Sequence, residues 1–354
     1  MKLKILIFAL SGIGDALMFT PALVKLREHF TGSQIDVMVM FKGTKDIYEN
    51  LNFISNVHYY DFINSKPFSA IRYLLKFRNK YDITINVYPS NRKEYNIINF
   101  LAGASKRAGV RYLRKDFVNL GFLNNLTIKE KDTLHNVEEN IKLIEKITGN
   151  EIQEIPPLQL EIGQNEMDFG KDYLKQLKIN DDDLLIGFHP GCATLKNHIN
   201  RRWEPEKFIE LGRKLIAEKS AKIFLFGGPE EKGLKHSIAS GINSDSVISV
   251  LTDSLLQSIA VMKRCGVFVT NDSALMHVAA ALKLKTVSII GPTNINYIRP
   301  WQTEHKIATL NLDCAPCFYY SPKPLTCTRN DVQYKCVKEL DVDMVYHKVS
   351  EFIN

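Results

Sequence analysis

"VFVTNDSALMHVAAALK", residues 267–283, contains in miniature the unit from which most of the chain is built. Val267 to Thr270 read as a buried strand, Asn271 and Asp272 make a turn, and a helix opens at Ser273 with apolar residues at helical spacing. The first amides of such a helix lack partners within it and carry the positive end of its dipole, which suits a phosphate. Ser273 and His277 are four apart and share one helix face. Taken alone, His277 reads more simply as a buried structural histidine. The next loop, "IIGPTN" (289–294) with Pro292 and Thr293, should converge on the same place.

The pattern repeats outward in both directions. In the second half, "LLIGFHPG" (184–191), "AKIFLFGGP" (221–229), "SVISVL" (246–251) and "KTVSIIGPT" (285–293) read as further strands, with helices at 204–218 and 254–264. In the first half, strands at 3–10, 34–40, 56–61 and 82–88 alternate with helices at 16–30, 67–80, 94–104 and 134–149. Pro21 inside the first helix should kink it. Residues 150–166, with paired prolines, read as a linker. Strand–helix alternation implies mostly parallel sheets covered on both faces. The fold expected is α/β, with two Rossmann-like doubly wound domains facing across a cleft. The expected boundaries are 1–160, 161–310, and a cysteine-bearing tail with a final helix at 311–354.

Composition agrees with this class. The chain has 354 residues, 45% hydrophobic and 24% charged, which is enough apolar material for two cores. No apolar run approaches the roughly 20 residues of a membrane span. The start, "MKLKILIFALSGIGD", lacks a small-residue cleavage site and reads as the first strand, so a cytoplasmic protein is expected. Six cysteines in a chain this long do not suggest a disulfide scaffold. The net charge of +7 is uneven: "SKRAGVRYLRKD" (105–116) holds Lys106, Arg107, Arg111, Arg114 and Lys115. A solvated face is the plain reading of such a run. A patch for a phosphorylated saccharide or an acidic membrane face is the sharper one. No nucleic-acid motif supports that partner.

Ligands of open α/β sheets bind beyond the carboxyl ends of the strands, where the informative loops lie. "SGIGDAL" (11–17) lacks the third glycine of a dinucleotide fingerprint, since Leu17 stands there, and Asp36 sits near the start of the second strand. Gly14 eases the turn and Asp15 falls in the first helical turn, where capping is its simplest role. "GFHPGCATLKNHINRRWEPEKF" (187–208) allows close backbone approach at Gly191. It supplies Lys196, Arg201 and Arg202, which can neutralise a diphosphate leaving group without a metal. In "FGGPEEK" (226–232), Glu231 can accept from ribose hydroxyls or serve as a helix N-terminal acid. "NDDDLL" (180–185) precedes a strand and reads as a turn. Cys314, Cys317, Cys327 and Cys336 leave zinc or iron on four thiolates and four free thiols as equal alternatives.

Together, Gly12-Ile13-Gly14-Asp15 with "TPAL", His189-Pro190-Gly191, the basic residues before Trp203, "FGGPEE", "TNDSALMHVAAAL" and "GPT" resemble glycosyltransferase family 9, the heptosyltransferases. The resemblance implies the GT-B arrangement, with acceptor bound by the first domain and donor by the second. It further implies metal-independent, inverting transfer of heptose from ADP-heptose to a lipopolysaccharide inner core, in the cytoplasm or peripherally at the inner membrane. Asp15 would then be the general base, with Gly14, Arg107 and Arg111 toward the acceptor. Gly191, Lys196, Arg201, Glu231, Asp272, Ser273, Ala274, His277, Pro292 and Thr293 would hold the donor. Arg201 matches a position that is lysine in many relatives, and Asp272, Ser273, Ala274 and His277 match a segment that often reads Asp-Thr-Gly-x-x-His. The cysteine tail looks like that of longer members in which such a cluster holds iron. Another sugar nucleotide, a protein acceptor, or a non-catalytic nucleotide-binding role are the competing readings.

Overall fold

A computed structural model describes residues 2–320 and 323–353. It divides into one unit of Met1–Glu161 with Tyr320–Pro322 and another of Ile162–Tyr319 with Lys323–Asn354.

The first unit runs β1 (Lys4–Ala9), α1 (Ile13–His29), β2 (Gln34–Val39), α2 (Lys42–Glu49), β3 (Asn56–Tyr59), α3 (Pro67–Leu75), β4 (Ile83–Asn86), α4 (Lys93–Leu101), β5 (Lys106–Arg111), β6 (Leu126–Lys129) and α5 (Asn136–Thr148). The strands form one parallel sheet in the order β3-β2-β1-β4-β5-β6. Inner residues of α3 and α4, among them Leu74, Phe77, Tyr95 and Ile98, pack with Leu6, Phe8 and Met38 of the sheet. α1 packs along α5, and the Tyr48 hydroxyl of α2 donates to Ala16 O of α1 at 2.9 Å.

α1 continues through Pro21. Proline lacks the N–H that would reach Leu17 O, and the Thr20 hydroxyl donates there instead at 2.7 Å. That same hydroxyl accepts the Gln159 N–H at 2.8 Å, tying the proline-rich stretch onto the helix. The basic run 105–116 is not simply a solvated face. Half of it is β5, whose Ala108, Gly109 and Val110 are buried inside the sheet.

The second unit runs α6 (Gln164–Gln176), β7 (Leu185–His189), α7 (Pro205–Lys219), β8 (Lys222–Leu225), α8 (Lys232–Ile242), β9 (Val247–Ser249), α9 (Leu255–Met262), β10 (Val267–Asn271), α10 (Ala274–Ala281), β11 (Lys285–Ile289), α11 (Ile295–Ile298), β12 (His305–Ala308), α12 (Lys335–Lys338) and α13 (Val342–Ile353). Its sheet is parallel in the order β12-β11-β10-β7-β8-β9, the arrangement of the first sheet repeated. α13 lies on α7 and buries Val345, Val349 and Phe352 in this unit's core, so the C-terminal helix has no separate core. Trp203 is a packing residue, buried with its indole N–H donating to Leu340 O at 2.8 Å.

Candidate functional site

β7, β10 and β11 are neighbours in the second sheet, so the loops that follow them emerge side by side. Asn271, the last residue of β10, latches the loop after β7 at both ends. Its Nδ2 donates to Pro190 O at 2.7 Å and its Oδ1 accepts the Trp203 N–H at 2.9 Å. This brings Arg201 against Asp272, with Nη1 donating to Oδ2 at 2.6 Å. The Thr293 hydroxyl donates to the same oxygen at 2.6 Å. Arg201 lies 5.3 Å over the ring of Phe318, and its Nε–H is buried without a partner. Phe318 is held by its N–H on Pro292 O at 3.0 Å. Arg201 Nη2 also meets His198 Nδ1 at 3.2 Å, so the Nε–H is what the guanidinium keeps for a further acceptor.

Ser273 is the N-cap of α10, yet its side chain makes no capping bond. Its hydroxyl meets His189 Nδ1 at 2.8 Å and the Thr270 hydroxyl at 3.1 Å. The other imidazole nitrogen of His189 meets Glu231 Oε2 at 3.1 Å, and that carboxylate also accepts the Gly228 N–H at 3.0 Å. Burial alone would raise the pKa of Glu231, but the hydrogen bond and charge of His189, then Gly228 and Arg202, outweigh it and hold it below the usual value. The approach is close: a Cβ at Gly191 would lie 1.5 Å from Glu231 Oε1, and Gly227, at φ +153°, faces the same side chain. His277 is buried with Nδ1 unpartnered. Burial, opposed by the Asp272 charge, lowers its pKa to about 4, so its imidazole is neutral.

The sequence-predicted donor residues therefore divide. Arg201, Asp272 and Thr293 form one bonded cluster, and Ser273 joins His189 and Glu231 in another. Ala274 opens α10, and Pro292 anchors the chain at 317–318. Lys196 stands in the 190–202 loop at φ +57°, its carbonyl accepting the Leu325 N–H. Asn271 and Phe318 were missed. The strand-end position of Asn271 was a usable signal, whereas nothing in the sequence pointed to Phe318.

In the first unit, Gly12 is the N-cap of α1, Gly14 is buried, and Asp15 lies half-buried in the first turn. Burial chiefly pushes up the phenols of Tyr48, Tyr95 and Tyr112, Tyr95 to about 12, and the Asp15 charge adds to the effect in each. These phenols thus stay neutral. Arg107 and Arg111 are occupied on their own strand. Arg107 donates to Leu123 O and Ala104 O at 2.9 Å each, and Arg111 pairs with Asp116 at 2.5 Å. Arg114 pairs with Asp132 through both terminal nitrogens.

The four cysteines line one cavity of about 10 Å³. Among the described residues, however, no group of three or more His, Cys, Asp or Glu is arranged to hold a metal ion. Cys314 Sγ instead accepts from Arg329 at 3.7 Å and Cys327 Sγ from the Tyr334 N–H at 3.3 Å. Of the two alternatives, zinc or iron finds no support here, and two of the four sulfurs engage protein donors instead.

The sequence pattern of glycosyltransferase family 9 (heptosyltransferase) matches residues 72–325. Lipooligosaccharide heptosyltransferase 2 of Campylobacter jejuni (serotype O:6) is 25% identical over 361 aligned positions, covering 99% of each chain. The solved Escherichia coli ADP-heptose lps heptosyltransferase II superposes with a TM-score of 0.74 at 19% identity, covering 99% of this chain and 98% of that one. A family 9 glycosyl transferase from Veillonella parvula gives a TM-score of 0.72 at 22% identity, covering 86% and 85%.

Proposed function

Because the chain belongs to glycosyltransferase family 9, and is therefore a glycosyltransferase, we propose that it moves a heptose from ADP-heptose to the inner core of lipopolysaccharide, with inversion and without a catalytic metal. The observation that carries this reading is the Arg201–Asp272–Thr293 cluster beside the uncapped start of α10. Phosphate oxygens would take up the buried Arg201 Nε–H and the first amides of α10, whose dipole favours negative charge there. The Asp272 bond fixes the plane of the guanidinium, so the donor edge is oriented before the ligand arrives. Neutral His277 adds bulk and a hydrogen-bonding nitrogen without competing charge. Gly191, Lys196 and Ala274 border this place, and Glu231, through His189, positions the Ser273 hydroxyl.

In the reaction, the acceptor hydroxyl oxygen bonds to the anomeric carbon while the bond from that carbon to the diphosphate oxygen breaks. Asp15 accepts the hydroxyl proton, and ADP departs with its new charge stabilised by Arg201 and the α10 amides. Gly14 lets the acceptor approach Asp15, and Arg111, at the carboxyl end of β5, would meet acceptor phosphates, whereas Arg107 stands at the amino end of that strand with its guanidinium on Leu123 O and Ala104 O. A lipid-linked acceptor would bring the protein to the cytoplasmic face of a membrane as a peripheral visitor; among the described residues no helix is long and apolar enough to cross one.

Asp15→Asn should lower transfer to a truncated lipopolysaccharide core by about 100- to 10,000-fold, read by mass spectrometry, while ADP still raises the unfolding midpoint. An active variant would remove Asp15 from the reaction. A larger midpoint shift with UDP- or GDP-sugars than with ADP-heptose would overturn the donor assignment.

A further inference from the structure

We infer that the layer formed by α3, α4 and the 113–122 segment of the first unit is a docking surface for an anionic lipid membrane. The inference gives the peripheral location proposed above a definite surface, and it rests on that reading only for its purpose.

α3 is apolar on both sides. Leu74, and Phe77 just past the end of the helix, face the core, while Phe68, Ile71 and Leu75 fall on the opposite face and are exposed, Phe68 at 78%. A surface helix ordinarily carries polar residues there. α4 lies beside α3 and exposes Ile97 and Phe100, and the stretch Gly121–Leu123 packs on α4. The Asn96 amide donates to Asn119 O at 2.7 Å, which binds the next segment alongside. There the rings of Phe117, exposed at 78%, and Phe122 meet at 5.4 Å. Scattered exposed leucines mean little, but clustering does. Of the fourteen large apolar side chains that the described residues leave well exposed, ten fall between Ile63 and Phe122.

Charge selects the partner. Residues 63–125 hold 12 Lys and Arg against 3 Asp and Glu, so the whole surplus of +7 resides in this third of the first half and the remainder of the chain is slightly acidic. Lys66, Arg72, Lys76, Lys93 and Lys115 are exposed around the apolar residues. Apolar side chains that enter the headgroup region, ringed by cations that meet lipid phosphates, are the two signals a peripheral protein needs. A second copy of the chain fits poorly, because a two-fold contact would set like charges against each other. The aliphatic members Ile71, Leu75 and Ile97 offer no stacking face to a nucleic acid.

The test is co-sedimentation of the full chain with vesicles of phosphatidylcholine alone or mixed with phosphatidylglycerol. Wild type should bind the mixed vesicles, less as salt rises, and the neutral ones weakly. Phe68→Ser/Leu75→Ser/Phe117→Ser should bind at least about tenfold more weakly, with its unfolding midpoint and its ADP-induced shift unchanged. Equal partitioning of variant and wild type would overturn the inference, as would wild type ignoring both vesicles. Loss of a wild-type dimer in sedimentation velocity, without vesicle binding, would assign the surface to a second copy and overturn it too. Transfer to a water-soluble core acceptor reads the proposed function separately. If transfer fails while vesicles are bound, the function falls and the surface stands.

Discussion

Beyond β7, β8 and β10 of the second unit, loops are held by ionisable groups: Arg201 on Asp272, His189 on Glu231, Arg202 on Glu231 at 3.4 Å. Beyond β4 and β5 of the first unit, a network of amides joins the Arg111–Asp116 and Arg114–Asp132 pairs in holding the loops. Asn86 and Asn124 both donate to Asn96 Oδ1, at 3.1 and 2.8 Å, Asn99 donates to Asn124 Oδ1 at 2.8 Å, and Asn119 donates to Asn91 Oδ1 at 2.7 Å. The strand order is the same in both sheets, and the chemistry at their ends is not. The topology supplies the position, while the side chains there decide its chemistry. On the function proposed above, the charged holders of the second unit would keep donors ready for a diphosphate.

The sharpest way to break this contrast is to remove one holder from each unit. Asp272→Ala leaves Arg201 buried without its carboxylate and should cost about 3–5 kcal/mol. Asn96→Ala removes a neutral node with three bonded neighbours and should cost about 2–3 kcal/mol. Urea unfolding checks both, and equal costs would erase the distinction.

The units should also answer pH in opposite senses. In the second, His277 has its pKa lowered by burial to about 4, so the unfolded chain takes up a proton that the native state refuses. Stability from this group is present above about pH 6.5 and is lost as pH falls toward 4, by about 2–3 kcal/mol. In the first, Glu139 is buried, accepts the Lys131 N–H, and has its pKa raised to about 7, chiefly by burial. Its native state binds the proton more tightly, so this contribution is present below about pH 4.5 and is lost as pH rises through 7, by about 2 kcal/mol. Urea midpoints across pH 4–8 should lose the acid limb in His277→Gln. In Glu139→Gln, which keeps the acceptor oxygen, they should gain stability at pH 8.

The smallest effect concerns the connection after α5. Thr20→Val strands both Leu17 O and the Gln159 N–H and should cost about 2 kcal/mol or less. Faster hydrogen exchange at residues 157–160 would be its local mark.

Much of the fold was legible because strand–turn–helix units repeat with clean periodicities. β5 was not, since Lys106, Arg107 and Arg111 masked its three buried residues, and four-residue β6 passed as part of a loop. The loops after β7, β8, β10 and β11 were legible through glycine, proline and charge at strand ends. Their bonding was not: that Glu231 would lie on Gly191 and grip His189, or that Phe318 would come under Arg201, depends on segments far apart in the chain meeting in space.

By itself, the sequence determined two parallel α/β halves and the stretches that carry chemistry, because apolar period and turn residues are local properties. Only the tertiary structure decided which cations are already paired, which apolar side chains face water, and whether the four cysteines share a centre. Pairing, burial and convergence are relations between distant residues, and no local pattern fixes them.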